Sequence, residues 1–361
     1  MTQMRAWGLT IMLGFVLLQG IMGDFLQEME NKQELMDLLR ESPFVLKLNE
    51  PILTKKEVIF APTTNLPVVL MHGMGDAAGN PGMQRLRKLL ASHLDTYVMN
   101  VQIGDSVAAD ASNSFFMKFD DQIEIFAQQI ANDTNLKGGF NAMGFSQGNL
   151  LIRAYVERYN DPPVRNFISV HGPLAGVGSL PHCHPSNFIC KEINAPHVLS
   201  QILSSAAYTD TVQGNKYYYI KYLLCKLAQS NYYRDPRQIE AYLAHALFLP
   251  DINNEKEKKN PFYKTRFASL DHLVLVRAAK DTMVYPHESE WFGAYADGHW
   301  DVILPMNSTK WYQEDSFGLK TLHKAGNITF YETPGDHLQV STSELLKWVD
   351  AHFKSSSALM T

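Results

Sequence analysis

The stretch that most constrains this chain is Gly144-Phe-Ser-Gln-Gly148, set inside Asn141-Ala-Met-Gly-Phe-Ser-Gln-Gly-Asn149. The G-x-S-x-G spacing describes a serine on a sharp strand-to-helix turn, strained so that its hydroxyl stands clear of the backbone. Strand and helix approach that closely only if the positions two before and two after are small. The flanks suit such a turn. Gly138-Gly-Phe-Asn-Ala-Met143 reads as a short buried strand, and Leu150, Leu151, Ala154 and Tyr155 recur at helical spacing from Gln147 onward. Two-glycine patterns also arise by chance, so a serine nucleophile requires a base, an acid and an oxyanion hole elsewhere in the chain.

The wider pattern alternates strands and helices. Leu66–Met71 predicts a strand leading into His72-Gly-Met-Gly-Asp76, followed by a helix from about Gly82 to His93. Tyr97–Ile103 and Asn166–Val170 read as strands, and Asp120–Ile130 as a helix with Ile123, Phe126, Ala127 and Ile130 on one face. His272–Ala278 and Ile328–Glu332 are later strands, and Ser341-Thr-Ser-Glu344 is a capping box opening a last helix through Trp348 to Phe353. This order predicts a mostly parallel, doubly wound sheet with helices on both faces, the α/β-hydrolase fold. Residues 172–270 break the rhythm, and in such a fold they are expected to form a largely helical cap over the site. The chain thus divides into a signal peptide at 1–23, an N-terminal extension at 24–65, a hydrolase domain at 66–354 and a frayed tail at 355–361.

Composition narrows the setting. A 361-residue chain that is 45% hydrophobic can bury a sizeable core. Its net charge of −5 and the absence of a dense Lys/Arg stripe exclude a nucleic-acid footprint. Arg5 and the apolar run Trp7–Leu18 have the form of a secretory signal, and that run falls short of the roughly 20 apolar residues of a membrane span. No other stretch is long and apolar enough to cross a bilayer. The sequons at Asn132, Asn307 and Asn327 agree with passage through the secretory pathway. Of three cysteines, Cys183 and Cys190 bracket a short loop and are expected to pair in an oxidising lumen, with two free thiols as the alternative. Cys225 then reads as a buried small hydrophobe. His182-Cys-His184 is the nearest approach to a metal cluster and lacks a second half, so no metal is expected.

A serine needs a base within hydrogen-bond reach, and that base needs a carboxylate to orient it. In this topology the order along the chain is Ser, acid, His, each on a loop after a strand. His337, in Thr333-Pro-Gly-Asp-His-Leu338, follows the last strand and precedes the last helix. Asp281 lies just beyond the strand ending at Ala278; Asp336 competes with it, but adjacent side chains in an extended loop point apart. Ser146, Asp281 and His337 are therefore the expected catalytic set. The oxyanion hole is expected from the backbone N–H groups of Gln147 and of Met74, which sits between two glycines. His72 precedes Ser146 and reads as structural.

Taken together, HGMGD, NSFF (Asn113–Phe116), NAMGFSQGN, ISVHGPLAGVGSLP (Ile168–Pro181), SEWFGAY (Ser289–Tyr295) and GDHLQ resemble lysosomal palmitoyl-protein thioesterases, the type 1 enzyme more than type 2. The resemblance runs from about Leu66 to Phe353. It implies the same triad and oxyanion amides, a Cys183–Cys190 disulfide and hydrolysis of long-chain acyl groups from S-acylated proteins, peptides and acyl-CoA. It also implies a lysosomal address and an acyl groove lined by the insertion, with no cofactor. Asn149 stands where the family usually has a second glycine, and Ala77 and Ala78 stand where paired cysteines are expected. Two alternatives stay open: a secreted esterase or lipase with the same triad, and a silent hydrolase fold that binds lipidated partners.

Overall fold

The computed structural model describes residues 65–178 and 228–354. The expected signal peptide, the N-terminal extension up to residue 64, the tail, the three cysteines and the His182-Cys-His184 cluster lie outside them. Six strands form one sheet: β1 (Val68–Met71), β2 (Val98–Asn100), β3 (Phe140–Phe145), β4 (Val164–Val170), β5 (His272–Ala278) and β8 (Ile328–Thr333). Their order is β2-β1-β3-β4-β5-β8, and every pairing in this sheet is parallel. A short antiparallel pair, β6 (Ala294–Tyr295) and β7 (Ile303–Leu304), stands apart. This is the α/β-hydrolase fold.

Parallel strands need crossovers, and here helices supply them on both faces. The period of two along each strand divides the core. Val68, Leu70, Met143, Phe145, Val274 and Val276 pack with Leu86 and Leu90 of α1 (Pro81–Leu94) and with Leu345, Trp348 and Val349 of α10 (Thr342–His352). Val69, Met71, Phe140, Ala142, Leu273 and Leu275 turn to the other face. There they meet Ile123, Phe126 and Ile130 of α3 (Phe119–Asn132) and Leu150, Leu151 and Tyr155 of α4 (Gly148–Arg158). The capping box at Ser341 and Glu344 opens α10 as expected.

Two elements depart from expectation. Strand β2 has three residues rather than seven, because the Ile103 N–H turns away to the Asp110 carboxylate at 2.7 Å. Helix α2 (Val107–Phe116), which begins on the Ser106 side-chain cap, was not foreshadowed by any apolar period. Further on lie α5 (Ile239–His245), α6 (Leu249–Ile252) and α7 (Pro261–Phe267), then α8 (Lys310–Gln313) and α9 (Leu319–Lys324). Leu249, Ile252 and Phe267 are wholly buried in the main core, so this end of the 172–270 stretch packs into the body.

Arg153 pins that end. Its guanidinium donates to the Leu174, Ile252 and Asn253 oxygens and to Glu157, and lies 4.2 Å from the Phe317 ring centroid. Among the described residues no helix is long and apolar enough to cross a membrane.

Candidate active site

Ser146 sits at the junction of β3 and α4 with φ 50°, the left-handed region that side chains avoid. Its N–H donates to Val170 O at 3.0 Å, which locks the turn to the end of β4. The glycines on either side are sterically required. A Cβ on Gly148 would stand 2.3 Å from His72 O, and one on Gly144 would stand 2.4 Å from Asn149 Oδ1. Asn149 itself clamps the turn, its Nδ2 donating to Ser146 O and Val170 O, both at 3.0 Å.

His337, on the loop after β8, reaches the serine. Its Nε2 lies 2.8 Å from Ser146 Oγ, and its Nδ1 lies 2.5 Å from Asp281 Oδ2. An ionised carboxylate only accepts, so Nδ1 carries the proton and Nε2 accepts from the serine hydroxyl. Asp281 Oδ1 takes the N–H groups of Met283 and Val284, each at 2.7 Å. Burial pushes the Asp281 carboxyl up, but the His337 imidazole and these hydrogen bonds outweigh it and hold the group well below the usual carboxylate range. All three residues are nearly closed off from solvent, with Ser146 the most open at 9%. Asp336 is occupied elsewhere, accepting from Thr282 N–H at 2.8 Å and Thr282 Oγ1 at 2.9 Å.

A second histidine props the first. His171 accepts the Leu338 N–H on Nδ1 at 2.8 Å and donates from Nε2 to Thr333 Oγ1 at 3.0 Å. It is neutral, since burial and then the nearby His337 push its imidazole down to about 3. His171, Asp281 and His337 are close enough to suggest a metal trio. The nitrogens of both histidines already meet protein partners, and this cluster reads as hydrogen-bonded support for Ser146 instead.

On the other side of Ser146 runs the His72–Asp76 loop. A Cβ on Gly73 would come within 3.0 Å of Ser146 Cβ, so glycine is what lets this loop cross the serine. His72 donates from both nitrogens, to Gly73 O at 2.8 Å and to Asp110 Oδ1 at 2.9 Å. Burial pushes the His72 imidazole down, and the Asp110 hydrogen bond and charge reverse this to a raised value, the signature of an imidazolium. Asp110 also takes the N–H groups of Ile103 and Ala78. Ala77 and Ala78, at the family's expected cysteine positions, are buried without a thiol.

Met74 lies in this loop, and Gln147 precedes the first turn of α4, where N–H groups lack intrahelical acceptors. Ser114 links the two segments. Its Oγ accepts the Gly75 N–H at 2.7 Å, and its carbonyl accepts Gln147 Nε2 at 2.8 Å. Gln147 Oε1 in turn accepts from Tyr232 Oη at 2.9 Å. The Gln147 side chain is therefore a strut, beyond any role of its amide. Sequence reasoning missed Asp110, Ser114 and His171; the NSFF and ISVHGP segments held the last two without a role attached.

A sequence model of the palmitoyl protein thioesterase family matches residues 67–337, from the edge of β1 to His337. The chain belongs to the palmitoyl protein thioesterase family. It is 40% identical over 286 residues to Palmitoyl-protein thioesterase 1 of Caenorhabditis elegans, covering 79% of this chain and 90% of that one. Palmitoyl-protein thioesterase 3 of Dictyostelium discoideum is 38% identical, over 75% of this chain and 84% of its own. Lysosomal thioesterase PPT2 of Homo sapiens is more distant, at 26% identity over 73% and 78%. This palmitoyl protein thioesterase family member is a hydrolase, and it is closer to the first two relatives than to the third.

Proposed function

We propose that the protein removes long-chain acyl groups, palmitate foremost, from the S-acylated cysteines of proteins and peptides, and that it also hydrolyses acyl-CoA. The observation that carries this reading is the hydrogen-bonded line from Ser146 Oγ through His337 to Asp281 in a family member. His337 Nε2 takes the serine proton as Oγ attacks the thioester carbonyl. The oxyanion that forms is received by the N–H groups of Met74 and Gln147, aided by the N-terminal dipole of α4. The thiol leaves with the proton returned by His337. Water, deprotonated by the same nitrogen, then cleaves the acyl-enzyme.

The proposed address is the lysosome by way of the secretory pathway. It is supported by the Arg5–Leu18 pattern, by exposed Asn132 and Asn307 for glycosylation, and by relatives named lysosomal thioesterases. Asn327 is half-buried, and it is proposed as a third acceptor on its sequon alone. A Cys183–Cys190 disulfide belongs to the same proposal; mass spectrometry of non-reduced peptides checks it.

Hydrolysis of a palmitoyl thioester and its matched oxygen ester, by wild type and by Ser146→Ala, tests the chemistry. A Ser146-dependent preference for the thioester is expected. Preference for the oxygen ester would make the protein a lipase or esterase. A folded wild type that turns over neither, and that fluorophosphonate fails to label, would be a binder of lipidated partners.

A further inference from the structure

Glu290 has 0% exposure and sits in the short 3-10 turn His287–Trp291 that follows β5. Its Oε2 accepts the Ala278 N–H at 2.8 Å, while no donor among the described residues is aimed at Oε1. A carboxylate oxygen left bare inside a protein is costly. Ala278, which Glu290 holds by its N–H, also accepts the Asp281 N–H on its carbonyl at 3.3 Å, so the Glu290 carboxyl is buried against the turn that carries Asp281. Two ionised carboxylates cannot share a buried site, so one of them holds a proton.

The partners decide which one. Asp281 has two amides on Oδ1 and the His337 imidazole on Oδ2, all of which favour the ion. Glu290 has a single amide. Arg277 on β5 is the cation that bears on Glu290, and it is directed elsewhere, lying over the Trp291 ring at 3.9 Å and pairing with Glu332 and Glu288. Burial, and then the Asp281 charge, hold the Glu290 carboxyl well above its ordinary range.

We propose that Glu290 is a positioning residue of the active site, a neutral carboxylic acid whose O–H donates to Asp281. The Asp281 carboxylate then has four donors: two amides, one imidazole and one carboxyl. Glu290 thereby ties the loop holding the acid to the end of β5, and it keeps Asp281 ionised as the medium becomes acidic. The arrangement rests on the assignment of Asp281 and His337 made above.

Glu290→Gln preserves one acceptor and one donor in the same places, whereas Glu290→Ala removes both. The measurement is the pH profile of kcat/KM on a palmitoyl thioester, with fluorophosphonate labelling of Ser146 in parallel. Glu290→Gln is expected to keep the wild-type acid limb and turnover within about threefold, because the hydrogen bond survives. Glu290→Ala is expected to lose about 10–100-fold in kcat, by analogy with the groups that orient metal-binding side chains from behind. Its acid limb should move up, because an Asp281 carboxylate with one donor fewer is more basic and holds the protonated His337 ring more strongly. A folded Glu290→Ala enzyme with an unmoved acid limb overturns the proposal, as does a Glu290→Gln enzyme that behaves like Glu290→Ala.

Infrared spectroscopy decides the matter if the alanine variant does not fold. In a Glu157→Gln background, the protonated-carboxyl band near neutral pH should vanish on adding Glu290→Gln; a band unchanged by it rules the neutral acid out. The two failures are distinguishable. Wild type that resists labelling sinks the triad, while labelled protein with an unmoved profile sinks only the role of Glu290.

Discussion

Two buried histidine–aspartate pairs flank Ser146, and they are built from the same parts to different ends. His72 and Asp110 meet at 2.9 Å on one side, and His337 and Asp281 at 2.5 Å on the other. All four side chains are at most 5% exposed. The pairs differ at the second ring nitrogen. His72 spends it on its neighbour's carbonyl, donating twice, and so has no lone pair for a substrate proton. His337 turns it toward the Ser146 hydroxyl as an acceptor. Neither burial nor an acidic partner distinguishes a base from a structural ion pair; what the other nitrogen touches does.

The comparison breaks most visibly at the serine side. Ser146→Ala and His337→Ala are each expected to lower kcat by about 10⁴–10⁶-fold with the protein still folded, in single-turnover assays on a palmitoyl thioester. Asp281→Asn should follow at about 10⁴-fold, because the amide favours the wrong imidazole tautomer. Asp110→Asn, the matching change in the other pair, should act on stability instead. It leaves a buried imidazolium without its counter-ion, a loss of about 3–5 kcal/mol by denaturant unfolding, with kcat in the surviving folded fraction changed far less. Equal kcat losses for Asp281→Asn and Asp110→Asn would erase the distinction drawn here.

The pH dependence of stability sharpens it further. The folded His72 value is raised above 6.5, so its contribution is complete below pH 6.5 and is lost as pH rises through the folded value. The melting temperature should therefore fall on the alkaline side of that value, and the Asp110→Asn variant should lack this part of the slope. Glu157, pushed up to about 8 chiefly by burial, weakens the protein in the same direction between its ordinary value and pH 8. The two must be separated by comparing variants. The smallest expected effect is that of Ser114→Ala, which frees the Gly75 N–H and loosens the loop carrying Met74. A drop of about tenfold in kcat, with KM nearly unchanged, is expected, from the loss of one buried hydrogen bond.

What could be read in advance follows the range of the forces. The serine turn is local, written in glycines that a Cβ would drive into Met71, His72 and Asn149. The positions of Asp281 and His337 follow from strand order, which apolar runs such as Leu273–Val276 reveal. Helix α2 was invisible because Ser106–Ser114 mixes alanines with small polar residues and has no large apolar side chain at helical spacing beyond Val107, and its helix rests on a side-chain cap and on contacts made across the fold. The partners Asp110 and Glu290 were hidden for a related reason. Each is a carboxyl whose meaning comes from a group it meets in space, His72 across 38 residues for Asp110 and Asp281 across a turn for Glu290. Asn149, a departure from the family pattern, proved to be a clamp on the Ser146 carbonyl, which spacing alone does not disclose.

The strand order also sets a timetable. Ser146 and His337 are 191 residues apart, and they meet only when β8 closes the far edge of the parallel sheet. At about 5–20 residues per second, the ribosome releases the proposed base roughly 10–40 seconds after the proposed nucleophile. Throughout that interval the serine turn stands without a proton acceptor. The growing chain is thus inert toward the acylated proteins and lipids around it, and activity begins only with the completed fold.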